Sequence, residues 1–324
     1  MPEQLSAAVG RSRRQAAGTL PDGPAGPDWS REIPMDHLHL SHRSSVHLTA
    51  WAETGPGEFA FTALWPEARG GRPPAPGGHA GPDPLLVAAT YRQAGLLAAH
   101  SAYGMPRAGE TLLQNLGFTV DPGQILPADG PVALDVTARC TPSGLRGGVP
   151  AALHIAAEFR HAGAVLARIE SDFSWMSRAV YRRLRGERAG VTEPVAPPPE
   201  PVDPASVGRA AARDVLLAPA GPGRWRLRNE TRNLLLFDHP VDHVPGLVLV
   251  EAAQQAAYGA AGPGFRPVSA ATSFGSYVEL DSPCLVEAVV RRAGGCAALT
   301  VDVVGRQDGR TCFTGTVSGL PAED

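Results

Sequence analysis

The segment AALHIAAEFRHAGAVLARIES, residues 151–171, lines up without gaps against AALTVDVVGRQDGRTCFTGTV, residues 297–317. Both open on Ala-Ala-Leu, alternate apolar and polar side chains, turn at Gly163 or Gly309, and alternate again. That is the pattern of a β-hairpin with one face buried, and its recurrence says that the chain carries one unit twice. The correspondence continues upstream. LLVAATYRQAGLLAAH, residues 85–100, matches LVLVEAAQQAAYGAA, residues 247–261, with Gln93 over Gln255. Both segments are apolar nearly all round and rich in Ala, as a helix covered on every side must be. Between helix and hairpin, FTVDPGQ from Phe118 resembles YVELDSP from Tyr277 and reads as a further strand.

Each half therefore predicts an early strand, a loop, a buried helix and then three or more antiparallel strands. That order belongs to the hot-dog fold, in which a curled antiparallel sheet wraps one long helix, and the class is α+β. Two tandem hot-dog domains would form an intramolecular pseudo-dimer. A length of 324 residues suits two domains. The expected boundaries are a loose N-terminal arm at 1–30, a first domain at 31–186, a linker at 187–206 and a second domain at 207–324. The linker assignment rests on VTEPVAPPPEPVDP, residues 191–204, whose prolines neither donate to a sheet nor continue a helix. A second Pro/Gly cluster, GGRPPAPGGHAGPDP at 70–84, reads as a long loop before the first helix.

Composition narrows the chemistry. Hydrophobic residues make up 43% and charged residues 19% of the chain, with a net charge of −3, which gives no electrostatic reason to expect nucleic acid or an anionic membrane as partner. All 29 basic residues are Arg, so Schiff-base and lysine-nucleophile mechanisms, pyridoxal phosphate included, have no amine to use. Cys140, Cys284, Cys296 and Cys312 are scattered without metal or redox spacing, and no apolar run spans a bilayer or reads as a signal peptide. The expectation is a cytoplasmic protein with no membrane association.

The candidate chemistry sits at the second helix. HPVDHVPGLVLVEAAQQAA, residues 239–257, places His239 and His243 on the loop before the helix, Pro245 and Gly246 at its start, and Glu251 and Gln255 on successive turns. A carboxylate in an apolar setting near a helix N-terminus has a tunable pKa, and the terminal N–H groups would polarise a carbonyl. Glu251 and His239 are the catalytic candidates. Arg92, Gln93, Gln255, His243 and Gly246 are the substrate-binding candidates. His37, His39, His42 and His47 invite a zinc site, but their spacing alternates faces and no Cys or paired acid joins them, so no metal is expected. SRAVYRRLRG, residues 177–186, reads as a solvated, Arg-faced segment closing the first domain, within reach of an acidic carrier protein.

The string His-Pro, Pro-Gly, Glu-Ala and Gln is similar to the active-site signature of hydroxyacyl-carrier-protein dehydratases, with a shorter spacing from histidine to acid. A wider likeness runs through DPLLVAATYRQAGLLAAH, SRAVYRRLRG, LLFDHPVDHVPGLVLVEAAQQAA and YVELDSPC, which resemble the A-factor biosynthesis family of actinomycetes. The resemblance implies two hot-dog repeats and an acyltransferase. It would move a β-ketoacyl group from an acyl carrier protein thioester to dihydroxyacetone phosphate, the first step toward γ-butyrolactone or butenolide signals. It implies no cofactor. Where the family commonly has Glu in the first helix and Arg in the second, this chain has Ala89 and Gln254, which leaves open a single working centre formed by Arg92 of one repeat and Glu251 of the other, an altered substrate choice, or a loss of activity. A thioesterase or dehydratase, and a silent acyl-binding partner protein, stand as the alternatives. The oligomeric state is left open by the sequence.

Overall fold

A computed structural model describes residues 28–66, 81–127, 130–194, 196–292 and 298–321. The expected arm, up to residue 27, and most of the Pro/Gly loop, residues 70–80, lie outside them.

The aligned alternating segments build β5 (Val149–His161) with β6 (Ala164–Met176), and β11 (Leu299–Gln307) with β12 (Arg310–Leu320). The hairpins turn at aligned positions. Both turns have two residues at positive φ, Ala162-Gly163 (48° and 84°) and Asp308-Gly309 (50° and 75°), the geometry that suits the right-handed twist of paired strands. Glycine takes this conformation without steric cost, whereas Ala162 does so against its Cβ.

The remaining strands are β1 (Leu48–Gly55), β2 (Glu58–Trp65), β3 (Glu110–Val120), β4 (Val132–Arg146), β7 (Leu217–Gly221), β8 (Arg224–Leu227), β9 (Arg266–Phe274) and β10 (Cys284–Arg292). Among the described residues they form one antiparallel sheet in the order β1-β2-β4-β5-β6-β3-β9-β12-β11-β10-β8-β7. The order is the same from either end, with β7–β12 standing for β1–β6. The pseudo-twofold passes between β3 and β9, where Gly117 pairs with Ala271. This is the expected tandem hot-dog pseudo-dimer.

Two helices, α1 (Pro84–Ala102) and α3 (Gly246–Ala261), pack against this sheet and touch each other. From Leu247 to Ala257 every residue of α3 is buried, and α1 is buried almost throughout, which accounts for the lack of a polar face in either sequence. No described helix is long and apolar enough to cross a membrane.

Gln93 and Gln255 secure the helices symmetrically. Gln93 Oε1 accepts from His47 N (2.9 Å) and its Nε2 donates to Ser45 O (2.8 Å). Gln255 Oε1 accepts from Leu216 N (2.8 Å) and its Nε2 donates to Asp214 O (2.8 Å). Each amide thus satisfies the buried backbone just before or at the first strand of its repeat, worth about 1 kcal/mol per bond and more if one were left unpaired.

The segment YVELDSP is not a strand. Tyr277–Pro283 forms a loop between β9 and β10, while Phe118 belongs to the end of β3. Its period-two pattern is real, since Val278 and Leu280 are buried. Its backbone is satisfied by the Gln307 side chain, which accepts from Glu279 N (2.7 Å) and donates to Glu279 O (3.0 Å) and Ser282 O (2.7 Å), in place of a ladder. The proline-rich stretch 191–204 is strapped down: Val202 N donates to Leu217 O and Pro199 O accepts from Arg228 Nε.

Candidate active site

The pseudo-twofold sets the middle of each helix against the N-terminal end of the other, creating two comparable places. They are equipped differently.

At the first, a cavity of about 240 Å³ lies between α1 and the start of α3. Leu96, Leu116, Ile155, Phe173 and Phe237 give it apolar walls, and His39, Arg92, Asp238, His239 and His243 give it a polar end. Pro245, Gly246 and Leu247 line it as well. Pro245 is the N-cap of α3 and supplies no side-chain hydrogen bond. The first intrahelical bonds there run from Val248 N and Leu249 N to Pro245 O, so the N–H groups of Gly246 and Leu247 are the unsatisfied donors of a helix start. A side chain at Gly246 would put its Cβ 2.9 Å from Leu113 Cδ2, so glycine keeps this approach open.

Arg92, half-buried on α1, donates from Nη1 to Leu38 O (3.1 Å). Burial lowers its guanidinium to about 10, with Asp238 opposing, which leaves it cationic at neutral pH. Asp238 holds down the strap that supplies Leu38 and His39: it accepts from Ser41 N and from His42 N (3.2 Å). Burial works against its ionisation, yet those backbone bonds keep its carboxyl below the usual range. His39 Nε2 lies 3.0 Å from His100 Nε2, and burial, aided by the Arg92 charge, pushes His39 down to about 4. His239 is also lowered by burial and then by Arg92. Its Nδ1 is 3.7 Å from Asp238 Oδ2, too far for a hydrogen bond. Both imidazoles are neutral at pH 7.

His243 differs from the other two histidines of this cavity, His39 and His239, in having a carboxylate at hydrogen-bond distance behind it. Its Nδ1 is 2.8 Å from Asp242 Oδ1, and the Tyr181 hydroxyl donates to the same oxygen at 2.6 Å. Arg185 Nε contacts Asp242 Oδ2 (3.3 Å), its Nη2 donates to Asp242 O (2.7 Å), and the same guanidinium binds both oxygens of Glu279 (2.7 and 2.6 Å). Burial opposes the ionisation of Asp242, but the bonds from His243 and Tyr181 and the Arg185 charge hold it down to about 2. The His243 ring packs edge-on to Tyr277, 4.7 Å between centroids. With Nδ1 engaged, Nε2 remains for chemistry. A histidine oriented and polarised by a buried carboxylate is a standard general base.

Tyr181 and Arg185 come from α2 (Arg178–Arg185), within the stretch expected to be a solvated arginine face. Ser177 Oγ caps its start, Gly186 at φ 57° ends it, and the i, i+4 pair Tyr181 and Arg185 turns inward. Only the other arginines of this helix are solvated. Sequence reasoning missed the Asp242–Tyr181–Arg185 support because the partners are 57 and 61 positions apart. The Asp-His dipeptide itself was the available signal.

The second place is built around Glu251. The structure does not bring Glu251 into the Arg92 cavity, as expected from the sequence; it pairs Glu251 with Arg209. Arg209 Nε donates to Glu251 Oε1 (2.8 Å), and Arg209 Nη1 lies 3.3 Å from Asp83 Oδ2. Gln255 Nε2 donates to Glu251 Oε1 (2.6 Å), while Gln254 Nε2 reaches Oε2 at 3.5 Å. Arg209 is 2% and Glu251 1% exposed. The two carboxylates raise the Arg209 pKa despite burial. Asp83 meanwhile caps α1, accepting from Leu85 N at 2.9 Å. A cavity of about 250 Å³ adjoins this cluster, but its helix end is closed and its acid is engaged. Of the residues singled out in the sequence, the structure gathers Arg92, His239, His243 and Gly246 in one cavity. It leaves Gln93 and Gln255 on the backbone and Glu251 in an ion pair.

His42 and His47 also diverge from His39: His42 Nδ1 lies 2.8 Å from Asp238 O, and His47, just before β1, has its Nδ1 2.7 Å from Thr90 Oγ1 on α1.

Comparison with known proteins fits this layout. The A-factor biosynthesis hotdog domain matches twice, at residues 25–177 and 191–322. A 2-oxo-3-(phosphooxy)propyl 3-oxoalkanoate synthase of Streptomyces virginiae is 38% identical over 285 residues, 87% of this chain and 95% of that protein. One of Streptomyces griseus is 35% identical over 291 residues, 89% of this chain and 95% of that protein. Among solved structures, a protein described as an oleoyl thioesterase from Lactobacillus plantarum superposes with a TM-score of 0.50 at 13% identity, covering 82% of this chain and 97% of its own, a likeness of fold alone.

Proposed function

This chain belongs to the A-factor biosynthesis hot-dog family, and from that premise we propose that it is an acyltransferase joining a β-ketoacyl group to dihydroxyacetone phosphate. The acyl group arrives as an acyl carrier protein thioester, and the product is the phosphorylated keto ester from which a γ-butyrolactone-type signal is made. The observation that carries this reading is the Asp242–His243 pair at the uncapped start of α3, facing Arg92 across one partly apolar cavity.

The chemistry follows from what each group offers. The acyl chain lies along the apolar walls with its thioester carbonyl toward Gly246 and Leu247. His243 Nε2 takes the proton of the acceptor hydroxyl as its oxygen bonds to the carbonyl carbon. The helix-terminal N–H groups hold the oxyanion that develops, a contribution of about 3 kcal/mol per well-placed donor. Collapse breaks the C–S bond, the proton on His243 goes to the departing thiolate, and ester and free thiol result. Arg92 holds the acceptor phosphate as a fork of N–H donors. His239, neutral beside it, donates to a phosphate oxygen without adding charge, while the single N–H of neutral His39 is spent on His100.

Purified protein incubated with a β-ketoacyl thioester and dihydroxyacetone phosphate is expected to give the phosphorylated ester, seen by mass spectrometry as the summed mass less the thiol. No ester across several chain lengths, or free acid released without acceptor, would overturn the proposal.

A further inference from the structure

The short helix α2 holds the active-site dyad with one face and leaves the other to solvent. Tyr181 and Arg185 point inward, while Arg178, Arg182 and Arg183 are exposed. At 100° per residue, Arg178 and Arg182 share one flank, Arg183 stands on the crown, and Val180 and Leu184 share the other flank. Leu184 is 61% and Val180 38% exposed, apolar surface that this helix does not bury. Leu184, Arg185 and Arg188 line a second opening, about 720 Å³, which reaches His243, Gly246 and Leu113, residues that also line the first cavity. The ridge thus stands at an entrance to the reacting groups.

Its charge is local. The chain carries −3 overall, and the only acid in 178–190 is Glu187. Arg185 is neutralised by Asp242 and Glu279, and Arg188 is shared between Glu279 (3.1 Å) and Asp281 (4.0 Å). For Arg178, Arg182 and Arg183 no carboxylate lies within ion-pair distance among the described residues.

We infer that the outer face of α2 is the docking surface for an acidic carrier protein that presents the acyl thioester, with carboxylates of the carrier on Arg178, Arg182 and Arg183 and an apolar side chain on Val180 and Leu184. The carrier's flexible arm then enters through the opening beside Leu184 and Arg188 and brings the thioester to Gly246 and His243. This rests on the acyl-transfer reading for the identity of the cargo. Charge complementarity of this kind acts mainly on encounter and falls with ionic strength.

The test compares wild type with Arg178→Glu/Arg182→Glu/Arg183→Glu and with the milder Arg182→Gln/Arg183→Gln. Donors are a β-ketoacyl carrier protein and a short β-ketoacyl thioester of N-acetylcysteamine, with dihydroxyacetone phosphate as acceptor. The inference predicts that KM for the carrier-bound donor rises tenfold or more in the Glu variant and less in the Gln variant. It also predicts that the salt dependence of KM flattens and that kinetics with the short thioester are unchanged. An unchanged KM for the carrier-bound donor in both variants would overturn the docking surface and leave the acyl-transfer reading intact. If wild type transfers from neither donor, that reading fails. Fluorescence anisotropy of labelled acyl-free carrier then decides the surface by itself, tighter binding to wild type than to the Glu variant supporting it and equal binding refuting it.

Discussion

Asp83 and Pro245 occupy the N-cap of the two matching central helices, and only Asp83 closes its helix with a side chain, accepting from Leu85 N at 2.9 Å. One helix end is therefore finished with an anion that also meets Arg209, while the other keeps its N–H groups for a ligand. The fold is symmetric, and this pair of residues makes its two helix ends chemically unequal.

Supplying the missing cap should switch the open end off. Pro245→Asp places a carboxylate where the oxyanion would form, so the rate of acyl transfer is expected to fall by about a hundredfold. The melting temperature should be unchanged or slightly raised, as a new N-cap contributes about 1 kcal/mol. Pro245→Ala, which adds no anion, should keep most of the activity. Steady-state rates and thermal melts of the two variants check this.

Arg92→Met should act on the acceptor. Losing a charged, bidentate partner for phosphate costs about 1.5–3 kcal/mol, so KM for dihydroxyacetone phosphate is expected to rise by about ten- to a hundredfold. Affinity for the acyl donor should hold. An equal loss for both substrates would place Arg92 elsewhere in the mechanism.

Arg209→Met should act on stability. It leaves Glu251 and Asp83 buried without their shared cation, a loss of about 3–5 kcal/mol measured by denaturant unfolding. Replacing the pair together, Arg209→Met with Glu251→Met, should recover part of that loss, because a buried ion pair is often matched by apolar residues of similar volume.

Stability should fall as pH drops through a window to which the buried His47 contributes together with His39. Buried against Thr90, His47 is pushed down to about 4, below the 6.5 of an exposed imidazole, so the folded state favours the neutral ring. The corresponding stability is fully present above pH 6.5 and is lost as pH drops toward 4, where the unfolded chain binds the proton first. The shift corresponds to about 3 kcal/mol. His47→Leu, which installs the residue type found at the matching Leu216, should make this slope shallower by the His47 share and leave the share of His39, which burial also lowers to about 4. Unfolding free energies measured from pH 7 to 4 decide it.

The fold was legible because its signals are local. Alternation in 151–171 and 297–317 fixes the hairpins, and the Ala-rich stretches around Gln93 and Gln255 can only be helices covered on all sides. The site was half legible. Arg92, His239, His243 and Gly246 meet in one cavity, as helix-terminal and helix-central positions of a pseudo-dimer should. Glu251 attracted attention as an acid in an apolar helix, but its partner Arg209 lies 42 positions upstream, just past the proline-rich stretch, and no spacing signals it. Tyr181 and Arg185 were hidden in the same way: a run of arginines looks solvated until packing shows which one turns inward. YVELDSP misled because Val278 and Leu280 alternate like a strand while the Gln307 side chain takes the place of the neighbouring strand.

In the proposed reaction the reacting centre is the Asp242–His243 pair at the open end of α3 and not the carboxylate of Glu251. This is tested most directly by initial rates of phosphorylated ester formation for His243→Asn and Glu251→Gln, measured under conditions where both variants are shown to be folded. The rate is expected to fall at least a hundredfold for His243→Asn, the scale of a lost general base, and to stay within a few-fold of wild type for Glu251→Gln. A near-normal rate for His243→Asn, with activity abolished in folded Glu251→Gln, would contradict the role of His243.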